Sequence, residues 1–275
     1  MGRFRSCVQA VFLRGRRSRW FNRAVTSGPR QPFKDLRLSR RRLLALGGLT
    51  TATAALGIGN APTAAASTAQ LLLDFETGSV GAPVTRCAGA AVSAAYARSG
   101  RYGCRLDPAL TTSHVAYLNV DRKGFALGKP YATFSMCFRL VTAPKAGDTY
   151  MNLFEIGSTS TAKQKSQFTV FFRNNRLTCD FGWRETLDLG PVPSVGQWHL
   201  IQAIVHFGAS AYTARVSVDG AAASTLTSAN NKTPQSVRAL WLHYPGKAVD
   251  YAMDVDDIQM ATSDTVPTFL AAPTR

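Results

Sequence analysis

From residue 71 onward the chain is a succession of short apolar or alternating segments separated by Gly, Pro, Asn and Asp, and that pattern leaves little room for anything but β-structure. Strands are predicted near 71–76, 102–107, 115–120, 131–140, 149–156, 166–173, 176–183, 197–207, 212–219, 237–244 and 251–260. Helical periodicity is nearly absent; only "AGAAVSAAYA" (88–97) hints at a short helix, and it reads equally well as loop. "RNNR" (173–176) and "VDG" (218–220) are tight-turn signals, because Asn, Asp and Gly tolerate positive φ. Short strands without crossover helices predict an all-β fold, an antiparallel β-sandwich.

Alternation assigns faces. Phe134, Met136, Phe138 and Leu140 share one side of their strand, with Thr133, Ser135, Cys137 and Arg139 on the other. Phe168, Val170 and Phe172 oppose Gln167, Thr169, Phe171 and Arg173, and Ala214, Val216 and Val218 oppose Thr213, Arg215 and Ser217. Each strand therefore has a core side and an Arg-bearing side. If the three Arg-bearing sides belong to one sheet, Arg139, Arg173 and Arg215 make a positive field suited to carboxylate or sulfate groups.

The segments "LLLDFETGSVG" (71–81), "SGRYGCRLD" (99–107), "GQWHLIQAIV" (196–205), "ARVSVDG" (214–220) and "YAMDVDDIQM" (251–260) resemble, in order and spacing, the concanavalin A-like lectin and glucanase jelly rolls, including laminin-G-like modules. The resemblance spans nearly all of 71–260 and implies a jelly roll. It is poorly specific for activity, since such folds host binders, hydrolases and lyases.

The formal net charge of +16 is unevenly placed. Residues 1–66 hold 13 Lys and Arg against one acid, Asp35, whereas residues 67–275 hold 19 against 15. Most of the basic excess is thus in the leader, and the remainder has no nucleic-acid-binding composition. Ser39-Arg40-Arg41-Arg42-Leu43-Leu44 precedes an uncharged stretch (43–59) that is short and Gly/Thr-diluted for a spanning helix. This resembles a twin-arginine (Tat) signal, and Ala64-Ala65-Ala66 offers a cleavage site after Ala66. The resemblance implies a bacterial precursor handed to the Tat machinery: a leader (1–66), then one secreted domain (67–275) with an irregular tail from about 262, and no stable membrane insertion of the mature chain.

Four cysteines follow the leader. An even number in an exported chain favours disulfides. The favoured pairs are Cys87–Cys104, closing a local loop, and Cys137–Cys179, cross-linking two strands on a shared face. No C-x-x-C or Cys/His clustering points to a metal instead.

No catalytic residue is assigned. The glucanase resemblance would imply E-x-D-x-x-E on one strand, but the mature chain has only Glu76, Glu155 and Glu185, and Glu155 has no second acid on its own strand. The residue types a lyase needs are present (His114, His199, His206, His243, Tyr244), but the R-x-E-L-R, Q-I-H and Y-F-K-A-G-x-Y motifs of alginate lyases are not. His199, after Trp198, reads as packing. Trp241 and His243 are expected to face outward together, and Trp183 is a second candidate stacking platform for a sugar ring. Jelly-roll sugar binders often hold a structural Ca²⁺ between first and last strands; the resemblance makes Glu76 or Asp74, with Asp256 and Asp257, the candidate ligands. The expected function is a secreted, non-catalytic carbohydrate-binding module for a glycan, with an acidic polysaccharide as candidate ligand. A polysaccharide lyase or glycoside hydrolase of the same fold, and a structural or protein-interaction domain at the cell surface, are the alternatives.

Overall fold

In the computed structural model the described residues are 71–121, 128–145, 151–157, 167–182, 185–229, 236–237, 239–243 and 251–270. They form a jelly-roll sandwich of two antiparallel sheets. With strands numbered in chain order, the first sheet runs β13 (Ser224–Ser228), β12 (Tyr212–Val218), β11 (Trp198–Phe207), β6 (Tyr131–Leu140), β15 (Met253–Ser263), β4 (Gly103–Leu106), β3 (Ala90–Ser93). β1 (Leu71–Leu73) also pairs with β15. The second runs β10 (Glu185–Pro191), β9 (Arg176–Phe181), β8 (Gln167–Arg173), β7 (Met151–Gly157), β14 (Ala239–Leu242), β5 (Tyr117–Asp121), β2 (Arg86–Ala88).

All the strands expected from the sequence form. β2, β3, β10 and β13 are additional, and the "AGAAVSAAYA" segment supplies β3 and a single 3-10 turn, Ala94–Tyr96. The β8–β9 hairpin turns at Asn174 and Asn175 with φ of 50° and 59°, and β12 ends at Asp219 and Gly220 with φ of 51° and 75°, as their side chains allow.

The core lies between the sheets and is rich in aromatics. Phe134 of the first sheet meets Phe154 of the second at 4.3 Å between centroids. Phe181 meets Tyr212 across the same gap at 6.0 Å. Each fully buried ring contributes about 2–3 kcal/mol from apolar burial alone. The expected face assignments of β6, β8 and β12 hold: Phe134, Met136, Phe138, Leu140, Phe168, Val170, Phe172, Ala214 and Val216 all lie in this core, with Val218 packed against it.

The cysteine expectation is corrected, because no disulfide joins Cys87, Cys104, Cys137 or Cys179. Cys137 and Cys179 cannot share a face: Cys137 is on β6, outside the core, and Cys179 is on β9 of the other sheet, pointing into it. Cys87 is exposed on β2 and Cys104 is buried on β4 of the other sheet; the two lie near each other but no disulfide joins them. Burial pushes the Cys104 and Cys179 thiols up to about 12, with nearby Cys87 and Asp180, respectively, adding to the effect. Thiolates are the reactive form, so alkylation of the native protein should label Cys87 and spare Cys104 and Cys179 until denaturant is added. Peptide mapping after a timed iodoacetamide pulse measures this; equal labelling of all three would contradict the burial.

Candidate functional site

The outer face of the first sheet is already occupied. Asp254 of β15, fully buried, accepts from two arginines at once: Arg105 Nε of β4 at 2.7 Å and Arg139 Nε of β6 at 3.0 Å. The Arg139 guanidinium also lies over Trp198, 5.0 Å from the ring centroid. Arg215 of β12 sits over Phe269 at 5.5 Å, and Gln202 Nε2 of β11 donates to the Leu270 carbonyl at 2.7 Å. The chain following β15 thus returns across this face. Arg173 is elsewhere, on β8 of the second sheet. The expected three-arginine surface is corrected accordingly: its members belong to two different sheets, and Arg139 has a carboxylate partner already.

The carboxylates Glu76, Asp256 and Asp257 gather around one loop. β15 changes partner from β4 to β1 at a bulge after Asp256, where Asp257 has φ of 52°. Asp256 Oδ2 accepts the N–H groups of Arg98 and Ser99 at 2.9 and 3.1 Å. Asp257 Oδ2 accepts from Ser99 Oγ at 2.7 Å and Arg98 Nη1 at 3.1 Å. Glu76 accepts the Arg101 N–H with both oxygens, at 2.9 and 3.1 Å. Gly100 between them has φ of +69°, and a Cβ there would sit 2.1 Å from Glu76 Oε1, so only glycine fits. Burial first, then Asp257, lifts the Asp256 carboxyl to about 6. Among the described residues no three His, Cys, Asp or Glu side chains come together as a metal-binding group. His199 lies 5.7 Å from Phe138 between ring centroids, with Nδ1 2.7 Å from Asp219 Oδ2.

The outer face of the second sheet is different. Leu118, Leu240, Ile156, Phe168, Val170, Cys179 and Phe181 point into the core, so the residues alternating with them point out. The register aligns seven of these in one row across the sheet: Arg86, Asn119, Trp241, Glu155, Thr169, Asp180 and Thr186. The middle of the row is polar and yet buried: Asn119, Thr169 and Asp180 are 0 % exposed and Glu155 is 1 %. Both amide atoms of Asn119, Glu155 Oε1 and Thr169 Oγ1 have no hydrogen-bond partner among the described residues. Burial, and secondarily the neighbouring Asp180 carboxylate, raises Glu155 to about 8; it is a protonated carboxylic acid at neutral pH.

Trp241 does face outward, half-buried, as its alternation with Leu240 and Leu242 predicts. Its six-membered ring lies over Gly157 of β7: a Cβ there would fall 2.3 Å from Cζ3 and 2.5 Å from Cη2. The missing side chain lets the indole lie close to the sheet. His243 does not join it, and this corrects the expectation. Its φ of 48° breaks the alternation, and its N–H donates to Leu153 O at 3.2 Å. The ring is fully buried, edge-on to Tyr251 at 4.5 Å, and burial lowers it to about 3. Both ring nitrogens lack a hydrogen-bond partner among the described residues. Trp183 and the signal residues Ser39, Arg40, Arg41, Ala64 and Ala66 lie outside the described residues.

Sequence reasoning found Trp241 but missed Glu155, Asn119, Thr169 and Asp180. Glu155 was set aside because no second acid shares its strand. Asp180 is brought near it by pairing through β8, which no local pattern reports.

No family model and no curated protein matches this sequence. Among solved structures, the chain is similar to an endo-β-1,4-glucuronan lyase from the fungus Trichoderma reesei, with 12 % identity and a TM-score of 0.50 over 71 % of this chain and 96 % of that one. It is also similar to domain 4 of AbnA, an extracellular arabinanase from Geobacillus stearothermophilus solved with arabinotriose, with 11 % identity and a TM-score of 0.48 over 72 % of this chain and 93 % of that one. At such identity the likeness to the lyase shows the shared jelly-roll fold and no more.

Proposed function

We propose that this is an exported carbohydrate-binding protein whose glycan site is the outer face of the second sheet. The observation that carries the reading is the row Asn119–Trp241–Glu155–Thr169, where an indole lies beside buried polar atoms that have no hydrogen-bond partner among the described residues. A buried polar atom left unpaired costs about 1–3 kcal/mol, a cost a fold bears where a ligand completes the hydrogen bonds. Sugars offer that complement: apolar ring faces for the indole and hydroxyl groups for Asn, Thr and a protonated Glu. That the same sandwich serves an enzyme acting on a polyglucuronate is consistent with a polysaccharide site here. The row carries one cation at its end, Arg86, and one charged carboxylate, Asp180, while Arg139 and Arg215 lie in the other sheet; that near balance of charge favours a neutral chain over a polyuronate. The Tat-like leader supports export. Among the described residues no helix is long and apolar enough to cross a membrane.

Trp241→Ala should weaken binding to a neutral polysaccharide about 10- to 100-fold, the worth of one stacking platform, while Trp241→Phe keeps part of it. Gly157→Ala should also weaken binding, by lifting the indole off the sheet. Affinity electrophoresis against a neutral β-glucan and an arabinan measures both variants, and unchanged retardation of Trp241→Ala would place the site elsewhere. Added salt should matter little, because no ion pair with the ligand is involved.

A further inference from the structure

A cavity of about 380 Å³ opens at one end of the first sheet, where β4 and β6 finish and β15 begins. Its size is near the lower end of the range for small-ligand sites, about 300–1,000 Å³. The Trp241 row belongs to the other sheet. Three polar side chains line the cavity, and two of them are anchored by one function while another is left over. Asp107 Oδ1 accepts the Ala109 N–H at 2.8 Å, and no hydrogen bond among the described residues uses its second oxygen. Thr142 Oγ1 accepts the Ala252 N–H at 2.8 Å, which leaves its hydroxyl proton to donate. The third is His114, which is exposed and whose imidazole has no hydrogen-bond partner among the described residues. Its turn is closed on itself: Thr111 O accepts the His114 N–H at 3.3 Å and Thr111 Oγ1 accepts the Val115 N–H at 3.1 Å. His114 has φ of 51° there, a left-handed conformation that costs a residue with a Cβ and that the fold nonetheless imposes. The apolar wall is Pro108, Val141 and Tyr251. The Tyr251 ring is fixed by its hydroxyl, which donates to Asn152 O at 2.8 Å, and by Phe172, edge-on at 5.1 Å.

We propose that this cavity is a second glycan site, one that takes a single neutral sugar unit. The inference goes beyond the reading of the second sheet and does not depend on it. The polar set calls for donors and acceptors closely spaced on an apolar frame. A sugar hydroxyl donates to the spare Asp107 oxygen, a neighbouring hydroxyl oxygen accepts from Thr142, and the imidazole can take either part. The C–H face of the ring lies against the apolar wall. An ammonium ligand offers donors alone and leaves the Thr142 proton unpaired. An anion meets a like charge at Asp107. Asp107, Thr142 and Tyr251 are held in place before any ligand arrives, so little ordering is lost on binding.

The full chain and its Trp241→Ala variant, which silences the row of the second sheet, should be titrated with methyl β-glucoside, methyl β-galactoside, methyl α-arabinofuranoside, glucuronate and methylammonium. Saturation-transfer NMR reads binding of each. The expected result is that a neutral methyl glycoside binds both proteins with a dissociation constant in the millimolar range. In either protein Asp107→Asn, which keeps an oxygen for the Ala109 N–H, should weaken it about 10-fold or more. Ala109→Trp, at an exposed position on the cavity wall, should abolish it, with thermal melts confirming that both variants fold. No saturation of any glycoside overturns the inference, and so does a preference for glucuronate or methylammonium. Binding unchanged by both Asp107→Asn and Ala109→Trp also overturns it. Glycoside binding by the parent that vanishes in Trp241→Ala overturns it too and upholds the second-sheet site. Binding that survives in Trp241→Ala and is lost in Ala109→Trp supports the cavity, whether or not the second-sheet reading stands.

Discussion

Glu155→Gln is expected to flatten the pH dependence of stability and to leave the variant more stable than the parent at pH 8. In the folded protein Glu155 holds its proton until about pH 8, against an ordinary value of 4.5. Between those limits the folded state binds a proton that the unfolded chain has released, so stability falls as pH rises. The contribution is fully present below pH 4.5 and is lost as pH climbs through 8. At about 1.4 kcal/mol per pH unit, the loss is on the order of 5 kcal/mol. Gln keeps the shape and hydrogen-bonding capacity of the protonated acid and has no proton to lose. His243 works in the opposite direction. Its folded value of about 3 lies below the ordinary histidine value of 6.5, so its contribution is present above pH 6.5 and is lost as pH falls toward 3. The two slopes cancel over the overlap, and the parent's own profile hides both. The difference between parent and variant isolates Glu155, since His243 and Asp256 are common to the two. Urea unfolding at pH 5, 6.5 and 8 reads it directly. Parallel profiles would mean that Glu155 is ionised in the folded protein.

What the sequence disclosed and what it withheld divide along one physical line. Alternation is local, so strand positions, the inward set of β6, β8 and β12, the Asn174–Asn175 turn and the outward Trp241 were all legible. Sheet membership is not local. β6 and β8 carry nearly the same pattern, yet β6 pairs with β11 and β15 while β8 pairs with β7 and β9. Arg139 and Arg173 therefore looked like neighbours and are not. The same long-range pairing made Glu155 look solitary: Asp180 is 25 residues away in sequence and two strands away in space. His243 failed for a third reason. A single positive φ ends the alternation of β14, and nothing in "LWLHYPG" announces it. β13, read as "STLTS", lacked the apolar signal because it is an edge strand with only Leu226 turned into the core.

The largest structural effect of a single polar substitution is expected at Asp254. It is fully buried between β4 and β6, and its two oxygens serve Arg105 and Arg139, each about a quarter exposed. Both guanidinium groups also lie over rings, Arg105 over Tyr96 at 4.2 Å and Arg139 over Trp198 at 5.0 Å. Asp254→Asn keeps the shape and removes the charge, leaving two cations side by side without the carboxylate they share. Breaking a buried ion pair from one side costs about 3–5 kcal/mol. Partial solvation of the arginines brings the expected loss to the lower end, about 3 kcal/mol. The loss should be local to charge balance and not to packing. Arg105→Met with Arg139→Met in the Asp254→Leu background should therefore recover most of it, because an apolar trio of similar volume replaces the ionic one. Thermal melts of the single and triple variants decide the matter. A triple variant as unstable as Asp254→Asn would show that the carboxylate stabilises the strand by means other than neutralising its two arginines.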